Sequence, residues 1–292
     1  MPAAFPEIKY PFPYKTLQME DGISVAYTDE GKGDRTLILI HGLSSYIPAW
    51  KRNIPELSRH FRTIAIDLPG YGKSGAAGVH SGKMSFYAEV IRKFIEKLRL
   101  KDVTLVGHSM GGQISITMAL RYPEIVKKLV LAAPAGLEFF TEKEVELIKK
   151  NTSPELYFSF SDEQVKENYR ANFYSMPPEA EEMIKDRILM KSSENFMDYC
   201  HIVVNSLYGM LDESVYRILE EIKCPALIIF GKNDLLVPHP VLHKSLRPEI
   251  LGSYAASKIP DCELLMLDKC GHFLQFEKPE EFNKAVLQFS QN

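Results

Sequence analysis

The chain has 292 residues, 45% hydrophobic and 25% charged, which supplies apolar material for a large core and argues against wholesale disorder. Lys+Arg 35 against Asp+Glu 38 leaves a net charge of -3, so there is no basic footprint and no nucleic-acid partner is expected. The opening Met1-Pro2-Ala3-Ala4-Phe5-Pro6 lacks the basic start and apolar run of a signal peptide, no segment has the length of a membrane span, and the expected location is the cytoplasm.

Residues up to about Tyr14 are proline-rich and are expected to run extended along the surface. Lys15 to Met19 and Ile23 to Thr28 alternate on either side of Asp21-Gly22, the pattern of a hairpin. Thr36 to Ile40 is a continuous apolar run ending in His41-Gly42, suited to a central parallel strand buried on both faces. After a loop from Leu43 to Ile47, Trp50 to His60 reads as a helix and Thr63 to Ile66 as a second buried strand. That strand leads into Asp67-Leu68-Pro69-Gly70-Tyr71-Gly72-Lys73-Ser74-Gly75, a glycine-rich loop that Asp67 is expected to tie down. Helical patterning resumes from Met84 to Leu98.

Val103 to Val106 is another buried strand, Gly107-His108-Ser109-Met110-Gly111 follows it, and Gln113 to Arg121 reads as a helix. Strand, sharp turn and helix around G-x-S-x-G describe an elbow. Absent side chains at the two glycines let strand and helix approach, and the serine hydroxyl projects from the carboxyl edge of the sheet. Lys128 to Ala132 is the next strand, and the alternation of strand and helix argues for a parallel sheet with helices on both faces.

The alternation stops between Leu137 and Glu221, where helical patterning dominates with breaks at Asn151-Thr152-Ser153-Pro154 and Met176-Pro177-Pro178. This stretch has 18 acidic and 9 basic residues, giving it -9 against +6 for the remainder, and it carries 12 of the 31 aromatic residues. Met176, Met183, Met190 and Met197 recur at a seven-residue spacing that keeps them near one helical face, suited to packing on the core. Strand pattern returns at Ala226 to Phe230, Pro240 to Ala256 is mostly helical, Glu263 to Leu267 is the last strand, and a helix starts at about Pro279. The cysteines, Cys200, Cys224, Cys262 and Cys270, have no metal-type spacing and are expected as reduced thiols, with no metal and no cofactor.

With these motifs in this order, the chain resembles the α/β-hydrolase superfamily from the hairpin to the last helix. The matching pieces are His41-Gly42, the loop from Asp67 to Gly75, the elbow from Gly107 to Gly111, Gly231-Lys232-Asn233-Asp234, and Gly271-His272. The resemblance implies a mostly parallel sheet of about eight strands flanked by helices, formed by residues 1–136 and 222–292, with a helical cap at 137–221 inserted after the sixth strand. It also implies a triad, because a serine hydroxyl needs a base to take its proton and a third group to fix that base. Ser109, His272 and Asp234 take these roles, with Asp268 as the other acid within reach of His272 in sequence. The backbone N–H groups of Leu43 and Met110 would form the oxyanion hole. Ser44 either assists there or caps the coming turn. His41 and His108 are implied to be structural hydrogen-bonding residues.

Within the superfamily, serine at the elbow argues against branches that use aspartate or cysteine there. The Gly-His-Ser-Met-Gly elbow is that of carboxylesterases and small lipases, and hydrolysis of a carboxylic ester of a small to medium apolar acyl group through an acyl-enzyme is the leading expectation. A carbon–carbon bond hydrolase of the meta-cleavage-product type is the alternative. Such enzymes match in size and cap but typically show Asn before the nucleophile and a more glycine-rich loop than Leu43-Ser44-Ser45. A non-enzymatic ligand receptor of the same fold is the third reading, separable from an enzyme by multiple turnover.

Overall fold

In the computed structural model, residues 5, 7–19, 22–75 and 81–291 are described. Eight stretches form one sheet: β1 (Lys15–Gln18), β2 (Ser24–Glu30), β3 (Thr36–Ile40), β4 (Arg62–Ile66), β5 (Val103–His108), β6 (Val126–Ala132), β7 (Ala226–Gly231) and β8 (Cys262–Leu267). Their spatial order is β1-β2-β4-β3-β5-β6-β7-β8. β1 and β2 form the expected antiparallel hairpin, with Asp21 outside the described residues, and β2 is antiparallel to β4. The six remaining strands are parallel, with Ile40 of β3 beside both Ile66 of β4 and Gly107 of β5. Every residue of β3, β5 and β7 is buried, so both faces of the central sheet are covered and the strands are apolar without alternation.

Parallel neighbours need crossovers, and helices supply them. α2 (Met84–Lys97) lies between β4 and β5, α3 (Met110–Arg121) between β5 and β6, and α9 (Pro248–Lys258) between β7 and β8. α2 buries Met84, Tyr87, Ala88, Ile91, Phe94 and Ile95, the spacing of one apolar stripe. Each of the larger side chains contributes roughly 2 kcal/mol on burial. α11 (Pro279–Gln291) opens on Pro279 as expected, with Glu280 and Glu281 in its first turn.

Two expected helices differ. Trp50 to His60 is not one helix: a 3-10 turn covers Ile47–Trp50 and a single α-turn, α1 (Ile54–Leu57), follows. Pro55 has no N–H to donate and its ring would collide with the carbonyl of Lys51, so the helix restarts around it. In Pro240 to Ala256 the helix begins only at Pro248, its first residue, and residues 240–247 are turns. The N-terminal segment is also less superficial than its composition implies. Phe5 and Ile8 are fully buried, and the Phe5 ring meets that of Tyr199 edge-on with centroids 5.4 Å apart.

Between β6 and β7 the chain is helical: α4 (Glu142–Lys150), α5 (Pro154–Ser159), α6 (Asp162–Arg170), α7 (Glu181–Met190) and α8 (Phe196–Asp212). Thr141 with Glu144, and Ser161 with Gln164, form capping boxes that start α4 and α6. α4 and α5 bury no residue, whereas α8 buries eight. Met183 and Met190 are buried on α7, but α7 ends at Met190 and α8 begins at Phe196, so no single helical face carries all four methionines. The segment packs against loops that follow the carboxyl ends of β3, β4 and β8: Arg187 reaches Ser44, Ile202 lies against Gly70, and the backbone of residues 172–174 abuts Gly271.

Candidate active site

β5 delivers the chain to the carboxyl edge of the sheet, where Ser109 adopts φ 53° and ψ -116° before α3 begins at Met110. A non-glycine residue there is strained by about 1 to 3 kcal/mol and persists only where its surroundings over-determine it. They do so here. The Ser109 N–H donates to Ala132 O at 2.9 Å, and Ser109 O accepts from Gly112 at 2.9 Å, Ala135 at 3.0 Å and Gln113 at 3.2 Å. Glycine is obligatory on both sides, since a Cβ on Gly107 would lie 2.3 Å from Gly111 O and one on Gly111 would lie 2.3 Å from Ile40 O. Helix α3 therefore starts at the turn itself, three residues earlier than its apolar pattern implies.

Asp234 follows β7 and His272 follows β8, and the two meet: His272 Nδ1 is 2.7 Å from Asp234 Oδ2, with both side chains buried. The other carboxylate oxygen, Oδ1, accepts the N–H groups of Leu236 at 2.8 Å and Val237 at 3.0 Å. A carboxylate so engaged only accepts, which puts the imidazole proton on Nδ1 and leaves Nε2 as a free base. Asp268 is elsewhere. It pairs with Lys232 at 2.6 Å on the surface, its side chain 78% exposed, and Lys232 holds its carboxyl below the usual range.

The loop after β3 carries Leu43, and among the described residues neither Leu43 N–H nor Met110 N–H donates to a backbone carbonyl. His41 braces the loop from behind, with Nδ1 2.8 Å from Gly42 O and Nε2 accepting from Leu68 N–H at 3.0 Å. Burial pushes its pKa down to about 4, so it is a neutral brace. Asp67 ties down its loop as expected. It accepts from Ile47 N–H at 2.7 Å, Lys73 N–H at 2.8 Å and Tyr10 O–H at 2.5 Å, and burial raises its pKa to about 6.

One group at this edge has no counterpart in the sequence reading. α7 places two successive residues of opposite charge on the loop after β3: Asp186 accepts from Tyr46 O–H at 2.5 Å, and Arg187 donates to Ser44. Arg187 Nη1 reaches Ser44 Oγ at 3.2 Å, Nη2 contacts Ser44 O and donates to Tyr199 O–H at 2.6 Å, and the guanidinium lies over the Tyr199 ring. Its Nε is sealed from solvent without a partner, and among the described residues Arg187 pairs with no carboxylate. A half-buried cation with a sealed donor is ordinarily met by an anion. Ser44, at φ 60°, is thus held by Arg187, one residue from the Leu43 N–H. The sequence did carry a signal: Met183, Arg187 and Met190 stand at i, i+4 and i+7, which sets an arginine into an apolar face.

Comparison with known proteins agrees with this architecture. Residues 35–279 match the family of the alpha/beta hydrolase fold, and the chain belongs to that family. It is 32% identical over 285 residues to a 2-hydroxy-6-oxononadienedioate/2-hydroxy-6-oxononatrienedioate hydrolase of Burkholderia vietnamiensis, covering 93% of each chain. Among solved structures it resembles a probable hydrolytic enzyme of Pseudomonas aeruginosa (24% identity, TM-score 0.83, 97% of this chain and 95% of that one). It also resembles a meta-cleavage product hydrolase of Pseudomonas fluorescens IP01 (24% identity, TM-score 0.75, 95% and 97%). At these identities the structural likeness speaks for the fold alone.

Proposed function

We propose that this α/β hydrolase cleaves a carbon–carbon bond next to a ketone in a carboxylate-bearing substrate of the 2-hydroxy-6-oxo-dienoate class. The observation that carries the reading is Arg187, a cation with no carboxylate partner among the described residues, beside the loop of the candidate oxyanion hole. A neutral ester offers that cation nothing, whereas a substrate carboxylate answers it with charge and a charge-assisted hydrogen bond. The name of the Burkholderia relative, a dioate hydrolase, favours this reading over the ester hydrolysis that the elbow alone puts first.

The chemistry follows from the substrate class. A 2-hydroxy-6-oxo-dienoate contains no ester or amide, so its hydrolysis must break a bond at the C6 ketone. His272 Nε2, with its tautomer fixed by Asp234, takes the Ser109 proton as the oxygen attacks C6. The N–H groups of Leu43 and Met110 stabilise the oxyanion, each by about 3 kcal/mol. Ketonisation first moves the enol proton to C5 and leaves C2=O conjugated with C3=C4; the C5–C6 bond then breaks, its electron pair runs through C3=C4 onto the C2 oxygen, and this dienolate takes the proton held on His272. Water, activated by the same histidine, releases the acyl group from Ser109. The segment 137–221 serves as the cap that brings Arg187 to the substrate.

Loss of the dienolate absorbance under multiple turnover tests the reading, and a single event per protein would instead indicate a receptor. One observation favours the ester reading as second: His108 stands where meta-cleavage hydrolases typically have Asn. Efficient turnover of p-nitrophenyl esters, with none of the dienoate, would select it.

A further inference from the structure

We infer that His108 is a positioning residue that ties the nucleophile elbow to the peptide of the histidine base and so sets the distance between Ser109 and His272. The inference rests on the proposed roles of those two residues and goes beyond them, since it assigns work to a side chain that touches neither substrate nor reacting atom. Its ring nitrogen Nε2 is 3.0 Å from the backbone O of His272, a hydrogen bond that spans 164 positions of sequence but starts one residue from Ser109. The two rings are 4.8 Å apart at their centroids, and Phe273 closes the other side at 4.7 Å.

The tautomer is decided by the partner. A carbonyl only accepts, so Nε2 carries the proton and Nδ1 holds a bare lone pair. Nδ1 is buried without a partner and faces Gly42, where a Cβ would lie 2.9 Å from Nδ1 and 3.1 Å from Ser109 Cβ. A second proton on His108 would find no acceptor there. Burial, with His272 and His41 as neighbours, holds the His108 pKa well below the usual imidazole value. The ring is therefore a neutral donor that adds no charge against the imidazolium formed on His272 in each cycle.

The base loop has other ties, and they come from elsewhere. Asn233 N–H donates to Cys270 O at 2.9 Å, Gly271 N–H to Glu277 at 2.8 Å and Phe273 N–H to Asn172 O at 3.0 Å. These fix the loop to the turn after β7, to the short helix α10 (Leu274–Glu277) and to the segment before α7. The His108 bond is the tie that comes from the elbow and acts on the peptide of the base itself. Misplacing a reacting group by an ångström costs on the order of 10²-fold in rate. Loss of the bond should slow activation of Ser109 without touching substrate affinity.

The test replaces His108 with two amides. In His108→Gln the side-chain amide reaches the position of the lost Nε2 and can still donate; in His108→Asn it stops at the position of Nδ1 and cannot. The readout is the rate at which a fluorophosphonate labels the serine, together with kcat and KM for a turned-over substrate. His108→Asn should label on the order of 10²-fold more slowly and lose kcat at unchanged KM, with His108→Gln recovering most of both. Equal loss in both variants would mean that the ring only packs, and wild-type labelling of His108→Asn would overturn the inference. A Ser109→Ala protein that still labels would remove the nucleophile assignment beneath it. Should His108→Asn fail to fold, imidazole nitrogen NMR of the wild type decides. The signal absent from His108→Gln should keep the neutral Nε2–H pattern from about pH 5.5 to about pH 9, and an Nδ1–H pattern or a titration in that range would contradict it.

Discussion

At the carboxyl edge of the sheet, functional groups are held mainly through the main chain: three N–H donors on Ser109 O, two on Asp234 Oδ1, and glycines that admit no other residue. In the segment between residues 137 and 221, the group aimed at the same edge is held by side chains. Arg187 rests on Ser44 and Tyr199, Asp186 on Tyr46, and Lys51 on Glu182. Main-chain wiring tolerates little variation and suits chemistry that must be repeated without error. Side-chain wiring can be rewritten by point substitution, which suits the selection of a substrate. In the proposed reading, the sheet edge supplies the reaction and the helical segment chooses what undergoes it.

The largest effect expected from breaking the sheet side is Ser109→Ala, with a turnover loss of roughly 10⁶-fold. Stability should move by no more than about 0.5 kcal/mol, because alanine keeps the backbone contacts of the elbow. Steady-state turnover and thermal unfolding of one preparation check both statements. Asp234→Asn should cost about 10⁴-fold, since an amide in place of the acceptor favours the wrong imidazole tautomer. Asp268→Asn, which removes only a surface ion pair with Lys232, should leave turnover near wild type. The reverse ranking would move the acid to the end of β8.

A smaller effect concerns stability rather than turnover. Asp67 has a folded pKa of about 6, above its ordinary value of 3.8, with burial as the main cause. The folded state therefore holds the extra proton between these values, and the associated stability is complete below about pH 4 and lost as pH rises through about 6. The shift corresponds to a change on the order of 3 kcal/mol. Wild-type unfolding free energy, measured relative to Asp67→Asn, should fall by that order between about pH 3.5 and about pH 7. A constant difference would show that folding leaves the Asp67 pKa unshifted, and a rise with pH would show that the folded state holds the carboxylate.

Much of the sheet was legible because both signals used to read it are local. β3 matches its apolar run residue for residue, and the elbow is announced by glycines that sterics require. The expected helix from Trp50 to His60 was not, since apolar spacing continued across a proline that breaks the hydrogen-bond ladder at Pro55. Asp234 and His272 could be named from their motifs, but their meeting at 2.7 Å depends on β7 and β8 being neighbours. Arg187 escaped because its meaning is long-range: the sequence shows a cation on an apolar face, and only the folded chain shows that no carboxylate among the described residues answers it. The elbow motif carries no information about that residue.

The most direct measurement compares kcat/KM for a 2-hydroxy-6-oxo-dienoate with that for its uncharged methyl ester, in the wild type and in Arg187→Gln. Charge-assisted hydrogen bonds from one guanidinium are worth about 1.5 to 3 kcal/mol, so the wild type should favour the carboxylate by about 10- to 10²-fold. In Arg187→Gln that preference should fall to near parity, while any loosening of the Ser44 loop lowers both rates together and leaves their ratio to report the charge. Equal rates in the wild type, or a carboxylate preference that survives the substitution, would contradict the account.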